Sequence, residues 1–315
     1  VGAALISRLL ADPQFGAAEI VALCHNRTLP PHPRVAIVRG SIGDEKCVAE
    51  AMSGVTHVFH LATVKEDAAQ VIDISIKGLF LLLEAARTSP TLRQFVLVGG
   101  DAAVGHCLVP RELPVTEASP HRAYPGVYAF SKVLEEVMVE QYREQYELRT
   151  TILRAPWIME KDDFRFALSF GPDQFGGPSW DTLISKEERE RFATENCVPL
   201  LLDTGGGPLR RNFVHLSDLV EALITVIDNP AAIGEMFNIA MTIPVDYSQV
   251  ASILAATRQM RPVEIKTSFH SNFLSTDKAR QRLRWLPKVE LPQLIESAFS
   301  YQRRADDPRK IWYQG

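Results

Sequence analysis

In the run Tyr128-Ala129-Phe130-Ser131-Lys132, a phenol and an amine stand four residues apart. The run follows Pro125-Gly126 and reads as the opening of a helix. At about 3.6 residues per turn, positions i and i+4 stack on one face. An ammonium beside a phenol favours the phenolate and lowers the tyrosine pKa. The hydroxyl then becomes a usable proton donor or acceptor near neutral pH. The same spacing also suits a half-buried tyrosine beside a solvated lysine, so the surrounding segments must decide.

Those segments alternate. Apolar runs at 20–24, 34–38, 57–61, 95–98 and 150–153 read as short buried strands, and periodic stretches at 45–52, 70–87 and 128–146 as helices. Strands separated by helices imply parallel βαβ units, hence an α/β fold on an open, doubly wound parallel sheet. Ligands of such sheets lie beyond the carboxyl ends of the strands. The residues that could do chemistry follow the strands here: His60-Leu61-Ala62-Thr63, then Gly99-Gly100-Asp101, then Arg154-Ala155-Pro156. The second half is less regular. Helical patterns at 185–194, 214–228, 247–257, 276–284 and 291–303 flank one short strand at 237–240, and 161–197 is rich in Gly, Pro and charge.

Bulk properties narrow the function classes. A length of 315 residues, 46% of them apolar and 23% charged, suits one large globular domain or two modest ones. No apolar run approaches the roughly 18 residues of a membrane span, and no signal-peptide pattern is visible. A net charge of −4 without a dense Lys/Arg tract argues against nucleic acid as the partner. Cys24, Cys47, Cys107 and Cys197 are scattered without metal-ligand spacing, which points to a reducing, cytoplasmic setting.

Taken in order, His60 to Thr63, Val98 to Gly105, Tyr128 to Lys132 with Glu136 one turn on, Leu153 to Pro156, and Arg211 to Asp218 resemble the extended short-chain dehydrogenase/reductase family, in its NAD(P)-dependent epimerase/dehydratase group. The resemblance runs from Gly2 to Pro287. It implies a Rossmann-like dinucleotide-binding domain over 1–160, to which 208–240 returns. A smaller substrate lobe would comprise 161–207 and 241–305, with a tail at 306–315. It also implies an oxidoreductase or epimerase acting on a hydroxyl or carbonyl of a sugar-like, nucleotide-sugar type of substrate. In that scheme Tyr128 is the acid/base, and Lys132 holds the nicotinamide ribose and lowers the Tyr128 pKa. Leu61, Ala62, Thr63, Gly99 and Pro156 line the cofactor, while Gly100 and Asp101 face the substrate. Arg211 would clamp a pyrophosphate, for which a guanidinium fork is suited; a surface ion pair is the other reading of Arg211. Pairing through the 70–87 and 128–146 helices would make a homodimer.

The chain departs from the family pattern at several positions. Gly2 matches the last glycine of the turn that cradles the pyrophosphate at a helix N-terminus. The first strand and the earlier glycines do not precede it; either further residues lie upstream or dinucleotide binding is weak. After the run at 20–24, where a carboxylate would meet the ribose of NAD, stand His25, Asn26 and Arg27. Arg27 suits a 2′-phosphate, which favours NADP over NAD. The family's adenine-contacting Asp falls on Ser41, and its helix Asn near the cofactor on Ser75.

The Ser or Thr that steadies the substrate oxygen falls on Gly100. Losing one such donor costs about 10²–10³ in rate. Asp101, an acceptor only when ionised, does not replace it. Tyr124 and Thr63 are the stand-in donors, although Tyr124 also suits a loop aromatic packed over the cleft. Gln174, Trp180 and Gly176-Gly177-Pro178 suit a lid. Two other functions stay open: a dinucleotide-binding module with weak or no catalysis, acting as sensor or scaffold, and a reductase of a small carbonyl compound.

Overall fold

A computed structural model describes residues 1–172, 174, 178–304 and 306–307. In chain order its strands are β1 (Ile20–Cys24), β2 (Val35–Arg39), β3 (His57–His60), β4 (Gln94–Gly100), β5 (Thr150–Ala155), β6 (Trp157–Met159), β7 (Cys197–Leu202), β8 (Arg210–Arg211), β9 (Phe213–His215), β10 (Glu235–Asn238), β11 (Val245–Asp246) and β12 (Arg261–Lys266). The central sheet has the order β10-β5-β4-β3, with every pairing parallel. β1 and β2 pair in parallel with each other, and no described strand bonds to both β1 and β3. The parallel α/β sheet expected from the sequence is present as a four-stranded set and a two-stranded one.

Burial explains why the central strands are continuous apolar runs. β5 is buried along its whole length and β4 nearly so, because helices cover both faces. Successive side chains alternate between the two layers. Phe95, Leu97 and Ile152 point into one core, with Leu79, Leu82 and Leu83 of the Gly78–Thr88 helix and Val139 of the Val127–Tyr146 helix. Val96 and Leu153 point into the other, with Leu5 and Leu9 of the Gly2–Ala11 helix and Leu219 and Leu223 of the Leu216–Thr225 helix. A third cluster, including Phe164, Trp180, Phe192, Leu201, Phe213, Tyr247 and Leu294, surrounds the parallel β7–β12 pair.

Some expected elements differ. The helix anticipated at 214–228 begins later, because Phe213 and Val214 belong to β9, which pairs with β6. The extended backbone sends Phe213 into the third cluster and Val214 into the second, which a helical turn would not do. β12 lies in Arg261-Pro262-Val263-Glu264-Ile265-Lys266, whose polar, half-exposed pattern hides a strand. The helix expected at 70–87 is interrupted by a π stretch over Val71–Lys77, which carries Ser75 with its side chain buried. The pattern at 276–284 contains a π stretch, Ala279–Leu283, in place of a regular helix. Gln174 and Trp180 are described, and Trp180 is a core residue; Gly176 and Gly177 lie outside the described residues. Ile72, Phe80, Phe130 and Val137 stand exposed on the two neighbouring helical segments expected to pair.

Candidate active site

β4 ends at Gly99-Gly100, and the helix Val127–Tyr146 passes over that end. The consequence is a close approach. A Cβ built at Gly100 would lie 3.5 Å from Tyr128 Oη and 3.7 Å from Lys132 Cγ and Cδ. Glycine thus leaves a methyl-sized space in front of the phenol. One turn on, a Cβ at Gly99 would come within 3.1 Å of Glu136 Oε1. Both glycines are buried, and their lack of side chains lets the helix lie against the strand end.

The helix is anchored from the sheet by charge. Arg154 on β5, 1% exposed, donates Nε to Glu136 Oε1 at 3.0 Å and Nη2 to Oε2 at 2.7 Å. This fork geometry is the strong form of a charge-assisted bond. His121 Nε2 meets the same carboxylate at 2.8 Å. Burial would raise the Glu136 pKa, but His121 and Arg154 outweigh it and hold the carboxylate below its usual range.

Lys132 and Tyr128 do not couple as the spacing alone implies. Lys132 Nζ donates to Glu135 Oε2 at 2.7 Å, both groups being buried, and lies 5.6 Å from the Tyr128 ring centroid. Burial raises the Tyr128 pKa above its ordinary value, with Glu135 and Asp101 adding to the rise, whereas the lysine that opposes it is Lys65. The expected lowering by Lys132 is therefore corrected: its ammonium is committed to Glu135. His60, fully buried at the end of β3, is pushed down to about 3 by desolvation and by Lys132, so it is neutral. His60 Nε2, Ser75 Oγ and Glu135 Oε1 are buried without a hydrogen-bond partner.

A second polar chain runs from the end of β4 to β8. Asp101 is buried, and its Oδ2 meets His106 Nδ1 at 2.6 Å. His106 Nε2 in turn faces Arg211 Nη2 at 2.7 Å and Nε at 3.3 Å. The Arg211 guanidinium also lies 4.4 Å from the Trp157 ring centroid. Burial disfavours a charged His106, yet Asp101 draws its pKa up to about 9. Donation from Arg211 nevertheless requires a bare Nε2, so this arrangement holds the neutral ring with its proton on Nδ1. Arg211 is thus 7% exposed and engaged within the protein, not in a surface ion pair.

The remaining expected residues are dispersed. Gly2 opens the Gly2–Ala11 helix, where a Cβ would sit 3.6 Å from Leu61 Cδ1, so this helix start and the end of β3 are neighbours. Ala62 and Thr63 are exposed, Leu61 is half-buried, and Pro156 is buried directly after β5. His25 and Arg27 lie in the exposed loop after β1, and the Arg27 carbonyl accepts from Arg39 Nη1 at 2.6 Å. Ser41 turns inward on its own loop, its Oγ accepting from the Gly43 amide at 3.1 Å. Tyr124 is half-buried in the segment before the Tyr128 helix.

Four side chains escaped sequence reading: Lys65, Glu66, Glu135 and His106. Lys65 and Glu66 follow a strand, the signal that marked the others, but no motif singled them out. Among the described residues no group of His, Cys, Asp and Glu could hold a metal ion, and no helix is long and apolar enough to cross a membrane.

Comparison with known proteins shows the family and the fold. The family model described as the NAD dependent epimerase/dehydratase family matches residues 1–240. A mouse dTDP-D-glucose 4,6-dehydratase is 25% identical over 243 residues, which cover 73% of this chain and 61% of the mouse protein. The chain thus spans less than two thirds of that relative. A short-chain dehydrogenase/reductase superfamily protein from Agrobacterium tumefaciens, solved with bound NAD, superposes with a TM-score of 0.75 at 20% identity, covering 94% of this chain and 92% of the other. UDP-glucose 4-epimerase from Thermotoga maritima, solved with UDP-glucose, gives 0.71 at 19% identity, covering 95% and 94%. At such identities these two show the fold.

Proposed function

The chain belongs to the NAD-dependent epimerase/dehydratase family, and from that premise we propose that it changes a hydroxyl or carbonyl centre of a nucleotide-sugar, with Tyr128 moving the proton. One observation carries the reading: the Tyr128 hydroxyl and the Lys132 stem converge on Gly100 at the carboxyl end of β4. The relatives support the substrate class, being named for dTDP- and UDP-sugars.

The cofactor is a nicotinamide dinucleotide, and the residues fit it. The start of the Gly2–Ala11 helix lies beside Leu61 at the end of β3, where a helix N-terminus suits a phosphate. Beside Lys132, the unpartnered His60 Nε2, Ser75 Oγ and Glu135 Oε1 offer hydrogen-bonding capacity that a ribose can use. Lys132 and Tyr128 would hold that ribose. When bound, the dinucleotide takes up or returns a hydride at the substrate carbon. Tyr128 Oη takes or gives the proton on the substrate oxygen, and its raised pKa makes the protonated phenol the resting form. Arg211, its planar fork packed on Trp157, would meet the diphosphate by leaving His106.

We assign NADP rather than NAD, because no carboxylate follows Cys24, and Arg39 at the end of β2 donates to the carbonyl of Arg27, whose guanidinium suits a 2′-phosphate. The test is direct. Calorimetric titration should show NADP binding more tightly than NAD. Incubation with dTDP- and UDP-hexoses, followed by NMR of the sugar, should reveal an inverted centre or a lost water. Absence of conversion across both nucleotide series would overturn the substrate class. A homodimer through the faces bearing Ile72, Phe80, Phe130 and Val137 completes the proposal, and sedimentation equilibrium should give twice the chain mass.

A second reading, a binding module without turnover, draws on the two engaged cations, Lys132 on Glu135 and Arg211 on His106. Gly100→Ser separates the two. The Cβ is accommodated at 3.5 Å from Tyr128 Oη, so the added hydroxyl can reach both phenol and substrate. We expect kcat to rise by about 10²-fold with an unchanged melting temperature. A binding module would stay inactive.

A further inference from the structure

The loop that follows β3 is tied to the start of the Tyr128 helix. That helix begins after Gly126, which provides no side-chain cap. The Glu66 carboxylate supplies one from a distant loop, accepting from the Val127 amide at 2.9 Å and, more weakly, from the Tyr128 amide at 3.4 Å. A carboxylate at a helix N-terminus satisfies unpaired amides and complements the helix dipole. Gly126 is required there: its φ is 153°, and a Cβ would lie 2.8 Å from Glu66 Oε1.

With Glu66 so anchored, the preceding residue is delivered onto Tyr128. Lys65 Nζ lies 3.7 Å from the Tyr128 ring centroid, far nearer than Lys132 Nζ at 5.6 Å. The two lysines differ in surroundings. Lys132 is buried and donates to Glu135, whereas Lys65 approaches from the exposed side of the ring. The charged groups around the phenol are therefore Lys65 and Glu66 from the loop, Lys132 and Glu135 from its own helix, and Asp101 from the segment after β4. His60, near Lys132, is neutral.

We propose that Lys65 is a positioning residue for the Tyr128 proton: Glu66 locks the loop onto the helix and so delivers the Lys65 ammonium, a second cation beside Lys132, onto the phenol ring. The inference rests on the assignment of Tyr128 as the acid/base, but its physical core, a cation acting on this phenol, stands without turnover. Among the groups that influence Tyr128, Lys65 is the one that eases its ionisation, against burial, Glu135 and Asp101.

The test separates the two claims. Near-ultraviolet absorbance titration of the full chain, taken as the difference between wild type and Tyr128→Phe, isolates ionisation of this phenol without substrate. In Lys65→Met that step should move to a pH higher by about 1 or more. Lys65→Arg, which keeps the charge, should restore it. In a converting assay, the alkaline rise of kcat should shift in the same direction with KM little changed. An unmoved titration step in Lys65→Met overturns the inference even if Tyr128 proves catalytic. A shifted step in a protein that converts no nucleotide-sugar upholds the cation's role and overturns only the functional assignment. Lys65 is exposed, so the substitution spares the core, and an unchanged melting temperature confirms it.

Discussion

Replacement of Tyr128 by Phe should lower turnover by about 10²–10⁴-fold while leaving the fold unchanged and weakening the dinucleotide only by the loss of one hydrogen bond to its ribose. The substitution removes one oxygen and keeps the ring. The ring's contacts with Lys65 persist, and the helix start remains capped by Glu66. What disappears is the hydroxyl that faces Gly100. The pH dependence follows from the sign of the shift. With its pKa raised, the phenol is protonated through neutral pH, so steps that need Tyr128 as an acid proceed there. Steps that need it as a base gain rate as pH rises towards the phenol pKa. The control is a side-by-side comparison of wild type and variant over a pH series, with melting temperature and dinucleotide titration on each. Undiminished turnover in the phenylalanine variant would remove Tyr128 from the mechanism.

Arg154→Ala should cost about 3–5 kcal/mol of stability, among the largest single losses available to this chain. The guanidinium is 1% exposed and Glu136 fully buried, so deletion strands a carboxylate with only His121 as partner. Urea unfolding should register the loss as a lower midpoint with an unchanged slope. The double variant Arg154→Met with Glu136→Leu should recover much of it, because an apolar pair needs no desolvation of charge. A single variant as stable as wild type would show that the pair contributes nothing. Linkage gives a second readout. Glu136 has a depressed folded pKa, so its contribution is present above the unfolded value, about 4.5, and is lost as pH falls through the lower folded value. The wild type should therefore lose stability below about pH 4.5 more steeply than the double variant. Because Glu136 lies one turn from Lys132, the same pair sets the helix that presents Tyr128. Activity should then fall with stability in the single variant and recover in part in the double one.

Much of the scaffold was legible in the residues. Runs such as Phe95-Val96-Leu97-Val98 need burial on both faces, and helices on both sides of a parallel sheet provide it. The helix expected at 45–52 is present with those bounds, and Asp44 caps it, accepting from the Lys46 and Cys47 amides. The helix start near Tyr128 was equally plain, since Pro125-Gly126 can scarcely belong to either neighbour. Elements whose stability comes from distant partners were not legible. β12 alternates charged and apolar residues in a stretch too short to signal, and it exists because β7 pairs with it. Val214 looked helical because the residues after it are, but β6 holds it extended.

The sequence by itself determined the α/β scaffold, the order of β1 to β5 and the helices between them, and the placement of Tyr128 and Lys132 on one helix. Those follow from local periodicity, which each segment carries within itself. Only the tertiary structure decided which charges meet. Tyr128 receives Lys65 from a loop 63 positions away by number, and Arg211 finds His106. Electrostatic partners are set by distances of a few ångström between segments remote in sequence, and spacing along the chain does not encode them. Tyr128 and Lys132 share one helix as their spacing implies, and the cation over the phenol ring comes from a remote loop.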